Sequence, residues 1–148
     1  LATLINLGYL LRHCFPGDFE CYLPDDHDYP VKYCSTCKCN HLANTPIDHW
    51  MDDRMALPKR EDNADNMLVS RIRKEGILDP IAIDIERHRV VTNGHHRVYA
   101  AIDLGWEWIP AELLIDGNRY YYNIPAARWL RPHDGSPYTE SNQALVLA

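Results

Sequence analysis

Apolar residues recur at helical spacing in three places before Gly76, and the pattern then switches to strict alternation. From Leu1 to His13, the residues Leu4, Ile5, Leu7, Leu10 and Leu11 fall on one broad face, which predicts a helix stopped by Pro16 and Gly17. NTPIDHWMDDRM predicts a second helix, with Thr45 as N-cap, Pro46 at the first helical position and Asp48 in the first turn. A polar link from Pro58 to Asn63 leads to a third, ADNMLVSRIRKE, with Met67, Leu68 and Ile72 inward and Gly76 as its C-terminal stop. In PIAIDI, Ile81, Ile83 and Ile85 share one face of a strand, and Glu86–His88 turns into RVVT. Asn93-Gly94 breaks that strand before a helix from His95 to Leu104, closed by Gly105. IPAELLID, the turn Asp116-Gly117-Asn118 and RYYYNI predict a further hairpin. After Pro132 the chain is polar and then apolar in ALVLA, with no pattern that assigns it an element. The sum is an α+β fold, a small sheet with helices packed on it.

The chain has 148 residues, a one-domain length with room for an appendage. Its formal net charge of −6 argues against coating nucleic acid by bulk electrostatics. The charge is uneven, with three Lys/Arg against eight Asp/Glu in residues 1–53, twelve against eleven in 54–131, and none against two in 132–148. An anion site must therefore come from local placement in the middle segment. No run approaches the ~18 uncharged apolar residues that span a bilayer, and LATLINLGYLL reads as a helix, not a signal peptide. The expectation is a cytoplasmic, reducing setting with no membrane partner.

The seam VVTNGHHRVYAAIDLG concentrates the chemistry. A glycine after a strand can take positive φ and turn the backbone sharply. The helix that follows presents its first N–H groups and a partial positive charge, which together favour an anion. Arg97 adds a planar fork suited to phosphate oxygens, and His95 and His96 can donate hydrogen bonds, relay protons or bind a metal. The plainer reading is a tight Asn-Gly turn with a solvated first helical turn.

EGILDPIAIDIERHRVVTNGHHRVYAAIDLGWEWIPAEL resembles the ParB/sulfiredoxin superfamily, on Gly76, Pro80, Gly94, Arg97, Ala100, Ala101, Gly105, Ile109 and Pro110 in order. With the preceding helix the likeness spans residues 57–114, about two-fifths of the chain. The resemblance implies a ParB/sulfiredoxin-like small mixed sheet with packed helices over 57–131, a helical, cysteine-containing extension over 1–56, and a tail over 132–148. It also implies nucleotide binding at the Gly-x-x-Arg corner, of CTP or ATP with Mg²⁺, in a DNA-associated process of a phage or bacterium. Carried across, Asn93, Gly94, His95, His96 and Arg97 would line the phosphates, while Ile77, Asp79 and Pro80 would lie near the base or ribose. His95 stands where sulfiredoxins carry their catalytic cysteine, and DGNRYYYNIPAARWL replaces the Glu-Asn-x-x-Arg motif of partition proteins.

If chemistry occurs, Arg97 and the first-turn amides neutralise transferring phosphoryl oxygens beside Mg²⁺. His95 or His96 moves a proton, and Glu75 or Asp79 acts as metal ligand or base. That makes His95, His96 and Glu75 the catalytic candidates. Two alternatives stand beside a nucleoside triphosphatase or phosphotransferase. One is a metal-dependent nuclease built on the Gly-His-His-Arg corner; the other is a non-enzymatic docking module for DNA or protein subunits.

All five cysteines lie in the first 39 residues. CSTCKCNH offers the Cys-x-x-Cys spacing that wraps a tetrahedral Zn²⁺. Cys14, Cys21, Cys34 and Cys37 form one ligand set, and Cys34, Cys37 and Cys39 with His41 or His27 form another; either would staple a proline-rich, acidic loop. Reduced thiols or a disulfide are the bland alternatives. Trp106 and Trp108 read as core caps, and Arg71, Arg73 and Lys74 as a solvated helix face.

Overall fold

The computed structural model describes residues 2–17, 46–84, 90–114 and 126–147. Among them a six-stranded mixed sheet runs in the order β2-β4-β3-β5-β1-β6. Its strands are β1 (Ala2–Asn6), β2 (Phe15–Pro16), β3 (Ile81–Asp84), β4 (Val90–Asn93), β5 (Trp108–Leu114) and β6 (Leu130–Arg131). The helices are α1 (Leu7–His13), α2 (Pro46–Trp50), α3 (Asp53–Asp65), α4 (Leu68–Glu75), α5 (His95–Leu104), α6 (Ala126–Trp129) and α7 (Glu140–Leu147). The architecture is α+β. No helix among the described residues is long and apolar enough to cross a membrane.

The middle of the chain forms as its pattern predicts. Ile81 and Ile83 are wholly buried on alternate positions of β3, which pairs antiparallel with β4 and parallel with β5. Because β3 lies between β4 and β5, α5 must carry the chain across it, and the small Ala100 and Ala101 let that helix sit close, both fully buried. Ile85, the Glu86–His88 turn, the Asp116–Asn118 turn and RYYYNI lie outside the described residues.

Three elements differ from their sequence reading. Leu1–His13 is not one helix: residues 2–6 are β1, antiparallel to both β5 and β6, and the helix starts only at Leu7. Thr3, Leu4 and Ile5 are all buried, so the strand is covered on both faces and reads as an unbroken apolar run that helical spacing also fits. Asn6 marks the switch, its side chain accepting the Tyr9 N–H at 3.0 Å as an N-cap. The expected link over 58–63 is also helical: α3 runs through Pro58, after a break where the Asp52 carbonyl accepts from Met55 and Ala56. Met67, expected to point inward, adopts a left-handed conformation and is 65% exposed, ending one helix before α4 begins.

The N-terminal residues are thus part of the sheet, not an appendage to it. β1 occupies an inner position, β2 pairs with β4, and Trp50 of α2 is fully buried with its Nε1 donating to the Cys14 carbonyl at 2.7 Å. The segment after Pro132 docks as well. Ile77 and Tyr138 form an antiparallel bridge, and Gln143 of α7 clamps the start of β5. Its Oε1 accepts from the Glu107 and Trp108 amides (2.9 and 3.3 Å), and its Nε2 donates to the Trp108 carbonyl (3.1 Å). Gln143→Ala is expected to lower stability by about 1–2 kcal/mol, read as a reduced urea midpoint at unchanged slope.

Tyr138 is 3% exposed, and burial pushes its hydroxyl up to about 12. Its pKa is higher folded than unfolded, so its contribution to stability is complete below about pH 10 and is lost as pH rises toward 12. Alkaline denaturation of the wild type should therefore contain a component in that window. Tyr138→Phe is expected to remove it, as measured by thermal melts across the pH series.

Candidate functional site

At the β4–α5 seam Gly94 has φ +100°, a conformation that β-carbons resist. A Cβ built there would meet Ile81 Cγ2 at 2.6 Å and Ile81 Cβ at 2.9 Å. The glycine therefore lets α5 start directly against the buried end of β3. Val98 N–H to the Gly94 carbonyl, 3.0 Å, is the first bond of the helix, so the amides of His95, His96 and Arg97 precede its ladder.

Successive residues of a helix are rotated by about 100°, and the three side chains after Gly94 part accordingly. His95 turns inward, 5% exposed, where its Nε2 accepts the Gly17 N–H at 2.9 Å and its ring lies 5.7 Å from that of Trp50. An accepting Nε2 requires that Nδ1 carry the proton of the neutral ring. His96 turns toward α3, with Nε2 3.3 Å from Asp62 Oδ2, and its backbone carbonyl accepts from Asn63 Nδ2 at 3.0 Å. Arg97 turns the third way. Its Nη1 donates to the carbonyls of both Asp79 and Pro80, the latter at 3.0 Å.

Arg97 thereby joins a cleft of about 160 Å³ lined by Arg71, Glu75, Gly76, Ile77 and Asp79, with Leu68, Ile72 and Leu78 as apolar walls. Burial lowers the guanidinium pKa from its ordinary value, and the Asp79 carboxylate opposes that shift. Both backbone bonds use Nη1, so Nη2 and Nε stay on the fork for a further acceptor. The cleft carries two cations and two carboxylates, from Arg71, Arg97, Glu75 and Asp79.

The structure brings together some of the residues that the sequence pointed to and separates others. Glu75, Ile77, Asp79 and Arg97 share the cleft, and Pro80 borders it through its carbonyl. Asn93, Gly94, His95 and His96 do not line it. His95, expected at the phosphates, instead has its Nε2 accepting from Gly17 and its ring in the core, away from this cleft. Arg71, read from the sequence as part of a solvated helix face, and Leu68, read as inward, also line the cleft. Their i, i+3 and i+4 spacing to Ile72 and Glu75 puts all four along one side of α4, a signal that periodicity could have given.

Among the described residues no group of three or more His, Cys, Asp or Glu side chains is placed to hold a metal. Cys14 is fully buried in the hydrophobic core. Cys21, Cys34, Cys37, Cys39, His41 and His27 lie outside the described residues. No family model, no curated protein and no solved structure matches the chain.

Proposed function

We propose that the chain binds a nucleoside triphosphate with Mg²⁺, its phosphate end entering the cleft between α4 and the start of α5, as its resemblance to ParB/sulfiredoxin-like domains implies. The observation that carries this reading is the meeting of Arg97 with Glu75, Ile77 and Asp79, residues from two separate segments, on one cleft wall. Arg97 offers the rest of its fork, and Arg71 adds a second cation in the same cleft.

The fit sets limits on the ligand's pose. A cleft of about 160 Å³ is smaller than the roughly 300–1,000 Å³ of pockets that enclose a small molecule. It takes a phosphate group or two, with the nucleoside lying across the exposed surface at Leu78, itself 59% exposed. Mg²⁺ is commonly held by one or two carboxylates together with phosphate oxygens, and Glu75 and Asp79 are the carboxylates available in this cleft. They fit that pattern without a protein-only metal cage. When bound, the ion would offset charge on the phosphates; Arg97 and Arg71 would orient them.

The nuclease reading has less support, since it needs His95 and His96 at one metal and the two rings point into different surroundings. A role beside DNA follows from the resemblance alone and is part of the proposal.

Calorimetric titration with CTP, ATP, GTP and UTP, each with Mg²⁺, tests the reading. At least one should bind with a Kd below about 1 mM, and omitting Mg²⁺ should weaken it. Absence of binding by all four at that level would remove the nucleotide assignment.

A further inference from the structure

The wall of the Arg97 cleft from Gly76 to Pro80 lies between α4 and β3 and belongs to neither. A stretch outside regular helix or strand has no ladder of its own, so its shape depends on the groups that bond to it. At one end Arg97 donates to the Asp79 and Pro80 carbonyls. At the other end the segment after Pro132 does the same work. The Ile77 amide donates to the Tyr138 carbonyl at 2.9 Å, and the Tyr138 amide donates back to the Ile77 carbonyl at 2.8 Å.

The close approach at this bridge is built into the sequence. Gly76 has φ +81°, and a Cβ built there would stand 2.7 Å from the Tyr138 carbonyl oxygen and 2.9 Å from Thr139 Cγ2. The glycine therefore ends α4 and also lets the later segment lie directly against the cleft wall. That segment is anchored away from the cleft as well. Tyr138 is buried with its ring edge-on to Trp106 at 5.7 Å, and Gln143 grips the start of β5. Glu140 stands 3.6 Å from Arg73 of α4, but both side chains are exposed and such a pair contributes little. The bridge, the buried ring and the Gln143 clamp carry the docking. Glu75 and Asp79, the carboxylates of the cleft, flank Gly76-Ile77, so their separation is set where Tyr138 binds.

We infer that Tyr138–Gln143 is a strap that positions the nucleotide cleft, and that the cleft holds its ligand only while the strap is docked. The inference rests on the nucleotide reading above and adds the regulation of that site: whatever draws the strap off the wall releases the nucleotide. Such linkage is reciprocal, so the nucleotide holds the strap down to the same extent. Tyr138 acts through Ile77 and is a positioning residue. Because the strap is already docked in the free chain, binding suppresses its opening without displacing it.

Native-state amide exchange on the full chain tests this without requiring a variant to fold. In the free chain the Tyr138 amide should exchange faster than that of Ile83, which is wholly buried in a strand paired on both sides and reports unfolding of the whole molecule. The Mg²⁺-nucleotide that binds best by calorimetry, added at about 20 times its Kd, should slow Tyr138 exchange about 20-fold, because openings that abolish binding are suppressed in proportion to free ligand. Gln143→Ala, which alters the grip on β5 and not the cleft, should speed Tyr138 exchange in the free chain about tenfold. Nucleotide should slow that variant by the same factor. A Tyr138 rate unmoved by saturating nucleotide would overturn the inference and leave the nucleotide reading standing, since the strap would then open without emptying the cleft. Equal rates for Tyr138 and Ile83 in the free chain would overturn it too, by showing that the strap has no opening of its own. If CTP, ATP, GTP and UTP all fail to bind in calorimetry, the nucleotide reading falls first and this inference falls with it.

Discussion

Replacing Gly94 with alanine is expected to lower stability by about 3 kcal/mol, the sum of a positive-φ penalty and overpacking in the core. The added methyl would stand 2.6 Å from Ile81 Cγ2 and 2.9 Å from its Cβ, and Ile81 is wholly buried in β3. Neither atom is the free end of a flexible side chain, so the strand or the helix must shift. Gly105 at the other end of α5 is the internal control. It has φ +71° with nothing within 4 Å of a built Cβ, so Gly105→Ala carries the conformational penalty alone, about 1 kcal/mol. Urea titrations should show the larger midpoint loss for Gly94→Ala, and its melting temperature should fall by roughly 6–12 °C. Equal losses for both variants would mean that α5 does not start against β3 as described.

Arg97→Gln is expected to act on both stability and binding. The Arg97 guanidinium ties the Asp79 and Pro80 carbonyls to the first turn of α5, and hydrogen bonds from charged donors contribute about 1.5–3 kcal/mol each. Glutamine is shorter and neutral, so a loss of about 2 kcal/mol in stability is expected after relaxation. Nucleotide affinity should fall further, by about 30- to 100-fold, because the variant removes a cation and loosens the Asp79–Pro80 segment of the cleft. Arg97→Lys keeps the charge without the fork and should fall between the two. Urea unfolding and calorimetry on the same preparations separate the effects. Unchanged affinity in Arg97→Gln would detach the ligand from this cleft while leaving the fold as described.

The parts of the fold legible in the sequence are those set by local pattern. Ile81 and Ile83 alternate, Gly94 and Gly105 bracket α5, and the paired alanines fit a helix laid close on a sheet. β1 was not legible, because a strand buried on both faces loses its alternation, and Thr3-Leu4-Ile5 satisfies helical spacing equally well. The segment after Pro132 was not legible either. Tyr138 pairs with Ile77, and Gln143 reaches Glu107 and Trp108, contacts across sequence distances that no local period encodes.

The site was legible in its outline and less so in its assignments. The glycine turn and the arginine follow from residue type, and Arg97 does reach the Ile77–Pro80 segment. The histidines were read by chemistry, whereas helical rotation decides where they point. One turn sends His95 to Gly17, His96 to Asp62 and Arg97 to the cleft.

The most direct measurement is a backbone amide NMR titration of the isotope-labelled chain with the Mg²⁺-nucleotide that binds best by calorimetry. The shifted amides should cluster at Leu68–Asp79 and at His95–Val98, with little change around Tyr138 and Asn142. Shifts that leave the amides of Gly76–Asp79 and Arg97 unmoved while others respond would contradict it.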